Sequence, residues 1–297
     1  MRSFTCVCLM AVLFTALAMA VPSLSVSYID GSASLGSGSS WKALGLGDPV
    51  PTDTTIRLDA GSSVDLKGMG ADFHLSQKGS YAIRDLLAAR QRLGVPAVGS
   101  ALAAKLKSLL SPQIANQSAV AGVRGADQSK DSYSDWVETS VQDSLQQAKG
   151  FIQSGNFADA LDKLNQSLDE ATTTELQELH FYLAYAYSLQ GDISNTAREI
   201  VEVRSGTGSS WSGDFILLRA KLDIDSFAFA QAIQWLNQPG NDLSSDARRG
   251  SLYFFLLGLA HRGAGNGEKE KEAFQRIVSM DKGSELGKAA AQMLREP

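Results

Sequence analysis

Hydrophobic and polar positions change period partway along the chain. Between Val26 and Ile83, apolar residues fall in period-two pairs: Val26 and Tyr28, Ile56 and Leu58, Val64 and Leu66, Phe73 and Leu75, Tyr81 and Ile83. Turn residues such as Asp30-Gly31, Gly47-Asp48-Pro49 and Gly68-Met69-Gly70 separate them. That pattern predicts short antiparallel strands, which must close on themselves or pack in two layers to bury one face. Trp41 is expected in the core between the first two hairpins. From Arg84 to Leu110 the spacing turns helical, with a break at Gly94-Val95-Pro96 and a stop at Ser111-Pro112. Residues 111–135 are rich in Ser, Gln, Gly and Ala and read as a linker, in which Val120 to Arg124 either adds a strand to the β module or stays flexible.

The second half carries a helical pattern that recurs about every 36 residues. One copy runs from Ala148 through Phe151, Gly155-Asn156 and Ala160-Leu161; the next runs from Ala184 through Tyr187, Gly191-Asp192 and Ile193. A third copy is degenerate, with Asp225-Ser226-Phe227 where a turn glycine is expected, and a fourth has a widened turn at Gly263 to Gly267. Small residues at Ala148, Ala160, Ala184 and Gly258 would let helices approach closely. An amphipathic helix over Ser284 to Leu294 is expected to cover the open end. One hairpin cannot bury its apolar face alone, so a repeat of this length predicts stacked helical hairpins with a hollow side.

The first residues read as an export signal. Arg2 precedes an apolar run from Phe4 to Met19, and Ala18-Met19-Ala20 is a small-x-small cleavage site. The run is short for a membrane span and no charged stop follows, so removal is expected rather than retention as an anchor. Cys6 and Cys8 both lie within it, which leaves no cysteine for a disulfide, a thiolate metal site or a nucleophile. A bacterial periplasm suits such a chain. Formal charge is −5 at pH 7 with no basic cluster, which argues against a nucleic-acid partner.

Catalytic chemistry is thin. His74, His180 and His261 are the only histidines, and no two share metal-ligand spacing. His74 is expected to face solvent from a strand, His180 to begin a helix and His261 to end one. Gly263-Ala264-Gly265-Asn266-Gly267 lacks the Gly-Lys-Ser/Thr ending of a phosphate loop and follows a helix. No cofactor and no catalytic or metal residue is assigned. Helical spacing instead places Gln142, Lys149, Glu178, Phe181, Tyr185, Ser188, Lys221, Phe255 and Arg262 on the inner face of the first helices. Three cations with aromatic residues between them suit an acidic or C-terminal peptide.

Two resemblances sharpen these expectations. Val26-Ser27-Tyr28-Ile29-Asp30-Gly31, Ser40-Trp41, Leu46-Gly47-Asp48, Thr54 to Leu58 and Ala60 to Leu66 resemble the FecR domain of bacterial envelope proteins, and Val123-Arg124-Gly125 resembles the segment that ends such domains. The membrane helix and anti-sigma segment of the iron-signalling members are missing from this sequence, so only an envelope β module is implied. Ala148, Phe151, Gly155, Ala160 and Leu164, with Ala184, Tyr187, Gly191 and Ile200, resemble tetratricopeptide repeats; Thr196 replaces that family's usual Ala. Together they imply an α+β chain: signal 1–20, FecR-like β domain 21–83, helical connector and linker 84–135, and an all-α tetratricopeptide solenoid 136–297. The implied role is a non-enzymatic scaffold of the cell envelope that binds a protein or peptide through its groove. The alternative is a peptidoglycan- or polysaccharide-binding protein that acts through the loops around Trp41.

Overall fold

Alternating positions pair as expected, but the β half holds more strands than the pattern announces. The computed structural model describes residues 23–110, 140–204, 209–240 and 242–295, and its fold is α+β. The segment expected to be a signal, the Val120–Arg124 segment and Gly206-Thr207-Gly208 lie outside the described residues. Strands β1 (Ser23–Asp30), β2 (Ala33–Ser37), β3 (Ser40–Ala43), β4 (Pro49–Pro51), β5 (Thr55–Leu58), β6 (Ser63–Gly68), β7 (Ala71–Leu75) and β8 (Gly79–Ala82) form two antiparallel sheets. One has the order β4-β1-β6-β7, the other β3-β2-β5-β8. Leu24, Val26, Val64, Leu66 and Phe73 of the first join Ala33, Ile56 and Leu58 of the second in one buried cluster, together with Ile83 and Leu86.

Three expectations about this half need correction. A bulge shifts the β1–β6 register between Val26 and Tyr28, so Tyr28 is 47% exposed and Ile29 turns toward the core instead. Trp41 is half-buried on the edge strand β3, with the Arg57 guanidinium 4.0 Å from its ring centre. His74 is buried rather than solvent-facing. It stands on the outer face of its sheet, opposite Asp65 in the β6–β7 register, and the outer face is covered by the helical half there.

The helices are α1 (Ile83–Arg92), α2 (Val95–Leu109), α3 (Val141–Ser154), α4 (Phe157–Gln166), α5 (Thr173–Gln190), α6 (Ile193–Glu202), α7 (Ser212–Asp225), α8 (Phe229–Leu236), α9 (Gly250–Gly263), α10 (Gly267–Asp281) and α11 (Glu285–Met293). From α3 onward they pair in sequence as hairpins α3/α4, α5/α6, α7/α8 and α9/α10, with α11 against α10. Side-chain caps fix several starts: Ser140 accepts from the Asp143 amide, and Thr172 and Glu175 form a reciprocal capping box. All four hairpin turns share one closure. Gly155, Gly191, Phe227 and Gly265 take left-handed backbone angles, with φ of 85°, 77°, 60° and 75°. In each case the next amide donates to the carbonyl five residues back: Asn156 to Phe151, Asp192 to Tyr187, Ala228 to Asp223 and Asn266 to His261. The degenerate third copy therefore keeps the turn and changes only the residue.

Helices α1 and α2 do not stand apart as a connector. Leu93, Ala101, Leu102, Leu106 and Leu109 are buried in the same cluster as the hairpin helices. Helix α2 crosses the face formed by α3, α5, α7 and α9, and it reaches α3 at one side and α11 at the other. The two halves also meet at β7. On one face of the β6–β7 pair the Ser194 hydroxyl of α6 donates to Asp65, and on β7 the Phe73 ring meets Phe227 of the α7–α8 turn.

Candidate functional site

The residues expected to line an open groove are mostly spent inside the molecule. Phe181, Tyr185 and Phe255 are fully buried, Ser188 and Arg262 are 7% exposed, and only Gln142 is exposed. Phe181 stacks on Trp211 at 5.0 Å, and Phe255 meets Phe274 edge-on within its own hairpin. Tyr185 donates its hydroxyl to the Leu106 carbonyl of α2 at 2.8 Å. Burial pushes its phenol well above the ordinary range.

The three cations likewise have partners. Lys149 lies 3.0 Å from Glu178 and 4.5 Å from the Tyr182 ring centre. Lys221 pairs with Asp225 one turn on, at 2.6 Å. Arg262 pairs with Glu270 at 2.7 Å and donates to the carbonyls of Arg92 and Met293. Helix α2 lies across the face they were to share. Spacing within the repeats carried no information about what would cover them.

One part of that face stays open. A cleft of about 450 Å³ lies beside the C-terminal end of α2, lined by Gln146, Lys149, Tyr182, Trp211, Arg248 and Arg249 among others. Helices α3 and α5 supply the first three. Loops that lead into α7 and α9 supply the rest, which is why a reading confined to first-helix positions missed them. The adjacent pair Arg248-Arg249 behind Asp246 was the signal available. Arg249 grips Asp214 through two nitrogens, at 2.7 and 3.2 Å, and Asp246 at 2.8 Å. Burial raises the Asp214 carboxyl above its ordinary value, and the Arg249 bonds only partly offset this. The bond to Asp214 in turn raises the Arg249 guanidinium, so it stays charged. Arg248 donates to the Leu109 carbonyl at the end of α2. The cleft thus offers amide, aromatic and cationic contacts on a floor fixed by ion pairs. Such a lining suits a peptide carboxylate better than an apolar ligand.

The histidines form no common site. His74 Nδ1 lies 2.6 Å from Asp65, whose other oxygen accepts from Ser194. Burial pushes the Asp65 carboxyl up, but these hydrogen bonds outweigh it and hold it below the usual value. The serine is directed at the carboxylate, not at the imidazole. His180 stands in the middle of α5, not at its start, with Nδ1 2.8 Å from Glu199. His261 ends α9 as expected, and burial lowers its basicity. Among the described residues no three His, Cys, Asp or Glu side chains gather as metal ligands, and no helix is long and apolar enough to cross a membrane. Comparison of the chain with protein-family models, curated proteins and solved structures finds no match in any of the three.

Proposed function

We propose that this chain is an exported, periplasmic and non-enzymatic scaffold of the bacterial cell envelope. In this reading a FecR-like β module is fused to a tetratricopeptide-type solenoid, and the cleft around Lys149 recruits a partner protein through an acidic or C-terminal peptide. The export signal in the sequence and the four equivalent hairpin turns, spaced by 36, 36 and 38 residues, support the architecture. The observation that carries the function is the cleft itself. There Lys149, Arg248 and Arg249 line one cleft beside the buried Tyr182 and Trp211, and a partner's carboxylate can exchange with Glu178 at Lys149. The rival glycan reading rests on Trp41, and one face of that ring is already occupied by Arg57.

A photo-reactive amino acid placed at Gln146 in living cells tests the proposal. The expected result is one captured envelope protein, identified by mass spectrometry, and its loss on Lys149→Glu. Capture of nothing, or capture that Lys149→Glu leaves unchanged, would overturn it. Retention of residues 21–110 alone on sedimented cell wall would favour the glycan reading instead.

A further inference from the structure

Two polar groups, one on α5 and one in the loop before α9, are aimed at the C-terminus of α2. Tyr185 donates to the carbonyl of Leu106 and Arg248 to that of Leu109, both in the last turn of α2. The last carbonyls of a helix lack partners within it, and positive charge is favoured beside them. The Leu110 amide closes onto Lys107 and Ser108, and the seat satisfies the Leu106 and Leu109 carbonyls beside them. Helix α2 fills the seat with Leu102, Leu106 and Leu109, an i, i+4, i+7 stripe.

The fit is incomplete. A cleft of about 350 Å³, open to solvent beside the exposed Gly99, remains between α2 and helices α5, α7 and α9, with Leu189, Ile224, Leu256 and Leu259 in its wall. Opposite them α2 presents Gly99 and Ala103, one turn apart. So small a pair leaves part of that apolar wall in water, so a helix with larger apolar residues at those two places would bury more of it than the resident one does.

We infer that α2 is an exchangeable occupant of a helix-receiving seat, and that the seat takes an amphipathic partner helix with leucines at the α2 spacing and bulky apolar residues where α2 has Gly99 and Ala103. This rests on the scaffold reading and adds how access to that face is regulated. Arg248 couples the two sites, because it lines the Lys149 cleft and also holds the end of α2. A carboxylate bound in the cleft draws Arg248 from Leu109 and loosens the resident helix.

The probe is a labelled synthetic peptide of residues 95–110 carrying leucine in place of Gly99 and Ala103. It should bind the full chain, and bind about tenfold tighter once Leu102→Gln and Leu106→Gln weaken the helix in cis, since an occupied seat lowers apparent affinity. The same peptide with glutamine at 102 and 106 should not bind. Hydrogen exchange on the unmodified chain gives an independent reading. The α2 amides should exchange about 100-fold faster than those of α5 and α7, which local opening permits and global unfolding does not. Exchange of α2 only together with α5 and α7, or absence of peptide binding, overturns the inference. Partner capture at Gln146 combined with co-exchanging α2 would sink this inference and leave the scaffold reading standing; peptide binding without any captured partner would do the reverse.

Discussion

Phe227 and Phe73 meet with ring centroids 5.2 Å apart and 46° between their planes, and this contact ties the third helical hairpin to the edge strand β7. Phe227 packs against the buried clusters of both halves. It does so from a left-handed backbone, φ 60°, where the other three turns have glycine. A bulky L-residue there costs on the order of 1–2 kcal/mol, so the packing of its ring has to offset that cost.

The ring and the backbone can be separated by two substitutions. Phe227→Ala loses the ring and keeps the strain; Phe227→Gly loses the ring and relieves the strain. Expected losses are about 3 kcal/mol for alanine and about 2 kcal/mol for glycine, measured by urea denaturation. Alanine as stable as glycine would show that the backbone is not strained.

That turn also shows where sequence legibility ended. A glycine at the end of a helix announces a left-handed turn because backbone sterics alone demand it. Phe227 holds the same geometry through a contact made 154 positions away in the chain, and no local pattern reports such a partner. Strands with one apolar face were legible, whereas β2, β3 and β4, short or polar, were not. The bulge at Val26 to Tyr28 inverts the phase that a strict period-two reading assumes. The candidate groove failed for a related reason. Helix α2 was readable as a helix, but nothing in its own spacing says that it lies across α5, α7 and α9.

Close approach at Gly258 was legible, and it gives a paired test. A Cβ built there would sit 2.6 Å from the buried ring of Phe274, across the α9/α10 hairpin. Gly150, exposed on α3, has nothing within 4 Å of the same position. Gly258→Ala should therefore destabilise by about 1–3 kcal/mol through overpacking, while Gly150→Ala should stabilise by about 0.5–1 kcal/mol through helix propensity. Thermal melts of the two variants must move in opposite directions.

Arg249 and Asp214 form a largely buried pair at the floor of the cleft, with side chains 16% and 11% exposed. Removing only the arginine strands a carboxylate whose burial already disfavours its charge. Arg249→Met should cost about 3–5 kcal/mol, and the double variant with Asp214→Leu should cost clearly less than Arg249→Met alone. A double-mutant cycle with no coupling would mean that solvent, not the pair, satisfies Asp214.

Asp223 sets a pH dependence of the opposite sign to that of an ordinary surface carboxylate. It is 3% exposed near the end of α7, one oxygen has no hydrogen-bond partner, and Arg219 stands 3.6 Å from the other. Burial raises its pKa from 3.8 to about 6 against the weaker pull of Arg219. The folded state thus holds the proton more tightly than the unfolded chain does. Its contribution to stability is complete below pH 3.8 and is lost as pH rises through about 6. The loss is on the order of 2–3 kcal/mol by pH 8. Asp223→Asn removes the titration, so the variant should match the native chain near pH 4 and exceed it by about 1–2 kcal/mol at pH 8, after allowance for the lost attraction to Arg219. Other carboxylates titrate in both proteins and cancel in the difference. Urea denaturation at pH 4, 6 and 8 measures it directly, and a stability difference that stays constant across that range would refute the assignment.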